Sequence, residues 1–192
     1  MSAPWKRPRA RLAILADALV ALPAAVVPLA VAGGTRSTCA GATVKVSDHV
    51  KYVINRYVQD AMRFTPGTVT VKSGCSLTVT FATAGQDEGH SLSIVEQSDL
   101  PKTTAEMENC KICRQIAAKH VKHPGQPLGP TNPVVHWIVN VGVPGLDAPG
   151  DSVVISPSSH KRVTLPISAP AGRILYFICG LHPWMQGKIL VK

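Results

Sequence analysis

The chain has 192 residues, 45% of them hydrophobic and 16% charged, and 20 lysines and arginines against 11 acids give a formal net charge of +9. That length holds one domain, or a domain with a small appendage. The basic balance does not indicate a nucleic-acid partner, because Lys and Arg are scattered and aromatics make up only 5% of the chain; it suits docking to an acidic protein or an anionic surface.

At the N-terminus Lys6, Arg7, Arg9 and Arg11 precede residues 12–32, which are apolar except for Asp17 and contain Pro23 and Pro28. The run ends in Ala30-Val31-Ala32, a small-x-small cleavage pattern. Residues 1–32 therefore read as a secretory signal peptide, with a single membrane anchor through residues 12–32 as the alternative. Asp17 and the two prolines weigh against the anchor. Cleavage after Ala32 would remove four basic residues and one acid, so the formal +9 would fall to +6. The folded domain is expected over residues 40–192, in a periplasmic or other extracytoplasmic location.

Short apolar or alternating runs follow, broken by glycine, proline and polar turns. Strands are predicted at 50–58, 68–72, 77–81 and 91–95, with Lys72-Ser73-Gly74-Cys75 as the turn between the second and third. The rhythm changes over residues 97–133. Thr103-Thr104-Ala105-Glu106 has the form of a capping box, Thr103 as N-cap and Glu106 at N3. A helix over 105–122 is predicted, stopped by His123-Pro124-Gly125, with Met107, Cys110, Cys113, Ala117 and His120 along one face. Strand signals resume at 134–141, 152–155, 161–167, 173–179 and 188–191. About eight strands rich in valine and threonine predict an all-β sandwich of two packed sheets with a helical insertion at about 97–133.

The chemistry concentrates in residues 174–191, ILYFICGLHPWMQGKILV. A predicted strand delivers Cys179 to a tight loop holding His182 and Met185, and Gly187 leads into the next strand. A thiolate, an imidazole and a thioether in one loop suit copper: sulfur favours Cu(I), imidazole serves both oxidation states, and two imidazoles with one thiolate and a weak axial thioether form an electron-transfer site. The second imidazole must come from upstream. His90, at the end of the polar loop Gln86-Asp87-Glu88-Gly89 and directly before the strand SLSIV, is the best candidate. His49 and His160 lie in polar turns and are expected to be solvated.

The chain has five cysteines. Reserving Cys179 for a metal leaves four, and Cys39 with Cys75 and Cys110 with Cys113 is the most economical pairing. Other roles stay open for the second pair. Cys110-x-x-Cys113 with Met107, His120, His123 and His136 has the spacing of a second metal site, or of a redox-active thiol pair. Arg114 follows Cys113 where covalent haem attachment needs histidine.

The loop CGLHPWMQGKI, with the segment MRFTPGTVTVKSGCSLTVTF at residues 62–81, resembles the cupredoxin, or type 1 blue copper, family, and the ligand loop is most similar to the short loop of amicyanin. The resemblance implies a Greek-key β-sandwich binding one type 1 copper ion per chain. It implies His90, Cys179 and His182 as ligands and Met185 as the weak axial one, and one-electron exchange with redox donors and acceptors through the exposed edge of His182 amid Leu181, Pro183 and Trp184. Two departures stand out. Phe81-Ala82-Thr83 occupies the place of an aromatic-x-Asn segment, so Thr83 is expected to stand in for the asparagine that hydrogen-bonds near the cysteine. The separation of His90 from Cys179 is also longer than in short-looped relatives, mainly through the helical segment.

An electron carrier is the preferred function. The rivals are a copper chaperone or storage protein that also uses Cys110 and Cys113, and a copper redox enzyme or enzyme subunit with a second metal in the insertion.

Overall fold

A computed structural model describes residues 39–47, 49–82 and 88–192. The chain divides into two units, Met1–Arg36 and Ser37–Lys192, and the described residues belong to the second. The proposed leader lies outside them. Among the described residues no helix is long and apolar enough to cross a membrane.

Among the described residues twelve strands form two main sheets and a separate hairpin. In chain order they are β1 Ala42–Ser47, β2 Val50–Val53, β3 Tyr57–Asp60, β4 Arg63–Thr65, β5 Thr68–Val71, β6 Ser76–Phe81 and β7 His90–Val95, followed after the helical segment by β8 Ile138–Val139, β9 Ser152–Ile155, β10 Arg162–Pro166, β11 Ile174–Ile178 and β12 Gln186–Val191. One sheet has the order β10-β6-β1-β4 and the other β5-β12-β11-β7-β9-β8. Alternation along the strands sends Val44, Val46, Leu77 and Val79 from the first sheet against Leu92, Ile94, Val153, Leu175, Phe177 and Ile189 from the second, and these form the main core. Phe64 meets Phe177 edge-on at 5.0 Å between ring centres. The Cys39–Cys75 disulfide ties the entry of β1 to the turn before β6. The arrangement is an all-β sandwich with one helical insertion, consistent with a cupredoxin-like sandwich.

Several elements differ from their sequence patterns. The single strand expected at 50–58 is a hairpin, β2 and β3, which turns at Ile54-Asn55-Arg56 with Asn55 at φ 62°; asparagine tolerates that left-handed conformation better than most residues. β1 and β4, six and three residues long, are not singled out as strands by the sequence pattern, β1 because its alternation rests on only Val44 and Val46. The strand expected at 134–141 shrinks to β8.

The predicted helix over 105–122 is two helices, α1 Thr104–Glu108 and α2 Lys111–His120. The capping box is formed: Thr103 Oγ1 accepts from the Glu106 amide, and the Glu106 carboxylate accepts from the Thr103 amide. The break follows from Cys110, which leaves helical geometry and caps α2 with its sulfur, accepting from the Cys113 amide while disulfide-bonded to Cys113. α2 buries Cys113, Ile116 and His120. With Val95, Ile178 and Cys110, its buried apolar residues make a second, smaller core. Strands β7 and β11 are thus covered on both faces, by the opposite sheet and by the insertion.

Candidate metal centre

β7 and β11 are antiparallel neighbours, with Ile178 opposite Ser93. This pairing brings the start of β7, His90, beside the end of β11, where Cys179 begins the loop to β12. The loop closes on itself: the Cys179 amide donates to the Met185 carbonyl and the Met185 amide to the His182 carbonyl, both at 2.9 Å. Gly187 is required at its exit, because a Cβ there would fall against the Phe177 ring and the Gly67 carbonyl.

His90, Cys179 and His182 are all buried, and one donor atom from each lies within 4.8 Å of the others. The two Nδ1 atoms are 3.1 Å apart, and Cys179 Sγ lies 3.6 Å from His182 Nδ1 and 3.9 Å from His90 Nδ1. At most one Nδ1 can carry a hydrogen toward the other, so lone pairs converge between these buried groups. A cation satisfies that arrangement, and one thiolate with two imidazoles is a donor set for copper. Met185 is buried in the same loop. Among the described residues this is the only group of three or more His, Cys, Asp or Glu placed to hold a metal.

Charge in the site is arranged accordingly. Burial alone would push the Cys179 thiol up, but hydrogen bonds from His182 and His90, the His182 charge and the Ser91 amide outweigh it and hold the group at about 6. Burial alone would lower His182; its contacts with Cys179 and with Glu88 prevail and raise it. Cys179 and His182 thus each favour the charged form of the other.

The outer edge of His182 is not open in the way expected. His182 is 7% exposed, and its Nε2 is 3.0 Å from the carboxylate of Glu88, a solvent-exposed side chain. Leu181 and Trp184, 40% and 41% exposed, form the accessible surface here, with Pro183 half-buried between them. Trp184 meets the His182 ring edge-on at 5.3 Å.

Thr83 lies outside the described residues. Beside the cysteine stands Ser91, whose amide donates to Cys179 Sγ at 3.4 Å and whose hydroxyl accepts from the Gly180 amide at 2.8 Å. Sequence reasoning missed this residue because a serine inside SLSIV is unremarkable; its position directly after His90 was the available signal.

The alternatives for the insertion are narrowed by its bonding. Cys110 and Cys113 are joined to each other and offer no thiolate. His120 is held by the His136 carbonyl at Nδ1 and by Ser152 Oγ at Nε2, so both ring nitrogens are engaged. Met107 is half-buried, His136 is exposed, and His160 stacks on Trp137 with ring centres 3.8 Å apart.

No protein-family model matches the chain, and no curated protein matches it. Among solved structures it is similar to oxidised plastocyanin from Dryopteris crassirhizoma, with 17% identity over 78% of this chain and 99% of that one and a TM-score of 0.37. Auracyanin A from Chloroflexus aurantiacus, titled a "blue" copper protein, matches with 19% identity over 79% of this chain and 99% of that one, TM-score 0.37. A Cu(I) amicyanin variant matches with 12% identity over 78% of this chain and 98% of that one, TM-score 0.35. Amicyanin does not stand apart from the others, and such distant likenesses leave the functional reading to the site.

Proposed function

We propose that this chain is an exported type 1 copper protein that carries single electrons between redox partners. The observation that carries the reading is the convergence of His90 Nδ1, His182 Nδ1 and Cys179 Sγ in one buried space. In this reading those three residues would hold the ion, with Met185 as a further thioether donor. Copper, when bound, supplies the Cu(II)/Cu(I) couple.

The remaining chain explains why a carrier is favoured over a catalyst. Cys179, His182 and Met185 are buried and their loop is closed by two backbone hydrogen bonds; with Met185 as a fourth donor, the protein would leave substrate no open position of the kind a catalytic metal keeps. Pro183 removes a backbone donor and stiffens the loop between β11 and β12, which suits a site that keeps its shape while an electron comes and goes. Electrons would pass at the Leu181 and Trp184 surface. The leader pattern and the two disulfides support a periplasmic or extracytoplasmic location, with the partners, soluble or membrane-associated, placed there as well.

Adding Cu(II) to the metal-free protein is expected to produce an intense thiolate-to-copper charge-transfer band that bleaches on one-electron reduction and returns on oxidation. A copper-loaded protein without that band would refute the type 1 reading.

A further inference from the structure

β7 reads HSLSIV, and its alternation has two meanings. Leu92 and Ile94 face the main core, whereas Val95 joins the core beneath the insertion, so Ser91 and Ser93 share Val95's face. Ser152 of β9 is paired directly opposite Ser93. In a sandwich without the insertion these serines would meet water. Here they are covered, and Ser91, Ser93, Ser152 and His120 are each at most 4% exposed.

The covered hydroxyls form a continuous chain. The Gly180 amide donates to Ser91 Oγ at 2.8 Å, and Ser91 Oγ lies 3.0 Å from Ser93 Oγ. Ser93 Oγ lies 2.5 Å from Ser152 Oγ, which lies 2.7 Å from His120 Nε2. His120 Nδ1 donates to the His136 carbonyl, because a carbonyl can only accept. One end of the chain is therefore fixed to the last residue of α2 and the other to the residue that follows Cys179. Ser91 belongs to both the chain and the site, since its amide donates to Cys179 Sγ. α2 also presses on this point: a Cβ on Gly180 would approach Ile116 Cγ2 to 2.8 Å.

We propose that His120 is a positioning residue for the copper site, setting the Ser91 and Gly180 amides around Cys179 through Ser152 and Ser93. This rests on the copper reading above. Hydrogen bonds donated to a thiolate ligand withdraw electron density from it and favour Cu(I). Breaking the chain leaves buried hydroxyls unsatisfied and loosens both amides, so the bound ion shifts toward Cu(II). The insertion thereby acts on the potential of a site it does not ligate.

The test uses the full-length exported protein with His120→Leu, Ser93→Ala, His120→Gln and Ile112→Ala. Equilibration of the copper-loaded forms with a redox dye is expected to show His120→Leu and Ser93→Ala moving the Cu(II)/Cu(I) ratio toward Cu(II) by roughly three- to tenfold, about the net worth of one hydrogen bond. The double variant should add nothing beyond the larger single effect, since both sit on one chain. His120→Gln, which keeps a donor and an acceptor, should restore most of the wild-type ratio. Ile112→Ala, which loosens the same small core without touching the chain, should leave the ratio unchanged. In the metal-free protein, Gly180 amide exchange should accelerate in His120→Leu and Ser93→Ala and not in Ile112→Ala. A wild-type ratio and wild-type Gly180 exchange in Ser93→Ala overturn the proposal, as does an equal shift in Ile112→Ala. Should His120→Leu not fold, Ser93→Ala carries the decision. If the wild type takes up no copper, the copper reading fails, and the Gly180 exchange data still decide whether the chain reaches the Cys179 loop.

Discussion

Cys179 and His182 show how the site stores its charge before a metal arrives. A thiol held at about 6 beside a raised imidazole favours the thiolate, the form a metal needs. Metal binding needs the thiolate and both imidazoles free of protons. Below about 6 the thiol is protonated and copper uptake must displace that proton, so copper affinity should fall more steeply with decreasing pH below about 6 than above it. Calorimetry in buffers of different ionisation enthalpy checks this through the protons released per ion. A proton release that does not rise as the pH falls through about 6 would contradict it. At this scale the convergence of His90, Cys179 and His182 was legible in the sequence, because Cys, His and Met at such spacing have few other uses together. Ser91 and His120 were not assigned their roles, because their partners come from β9, the Cys179 loop and the stretch before β8, and contacts that distant leave no spacing to read.

At the scale of elements, the hairpin β2–β3 and the β12 exit make opposite predictions. All eight residues of β2 and β3 are exposed, including Tyr52 at 70% and Val58 at 76%, and the hairpin pairs only with itself. Little burial stabilises it, and a lone two-stranded hairpin is marginal in water. Replacing residues 51–59 by a short glycine–serine turn should leave the urea midpoint of the domain nearly unchanged. Gly187 is the reverse case. Gly187→Ala places a methyl group against Phe177 and the Gly67 carbonyl, where overpacking costs about 1–3 kcal/mol, and the midpoint should drop accordingly. The sequence displayed the long strands through their alternation and the helix start through its capping box. It did not reveal the break at Cys110, since helical periodicity continues across residues that a disulfide and a sulfur cap pull out of the helix.

For the whole molecule, stability depends on joining two sheets whose strands are distant in sequence. The main core provides most of this. The Cys39–Cys75 bond, spanning 36 residues of sequence, restrains the unfolded chain and is worth about 2–4 kcal/mol. Cys39→Ser with Cys75→Ser should lower stability by that amount in chemical denaturation while leaving the Cys179 loop intact and the copper spectrum unchanged. A two-sheet sandwich with a helical insertion was readable from strand spacing and the change of rhythm at residue 97. Sheet order was not, because parallel neighbours such as β1 with β6 and β5 with β12 pair through connections that alternation does not record.

The central claim is that His90, Cys179 and His182 converge to hold one copper ion. Titration of the metal-free protein with Cu(II), followed by the charge-transfer band and by metal analysis after desalting, tests it directly. The account predicts a band that saturates at one copper per chain and is absent in Cys179→Ala. Saturation at two tightly held ions, or an undiminished band in Cys179→Ala, would contradict it.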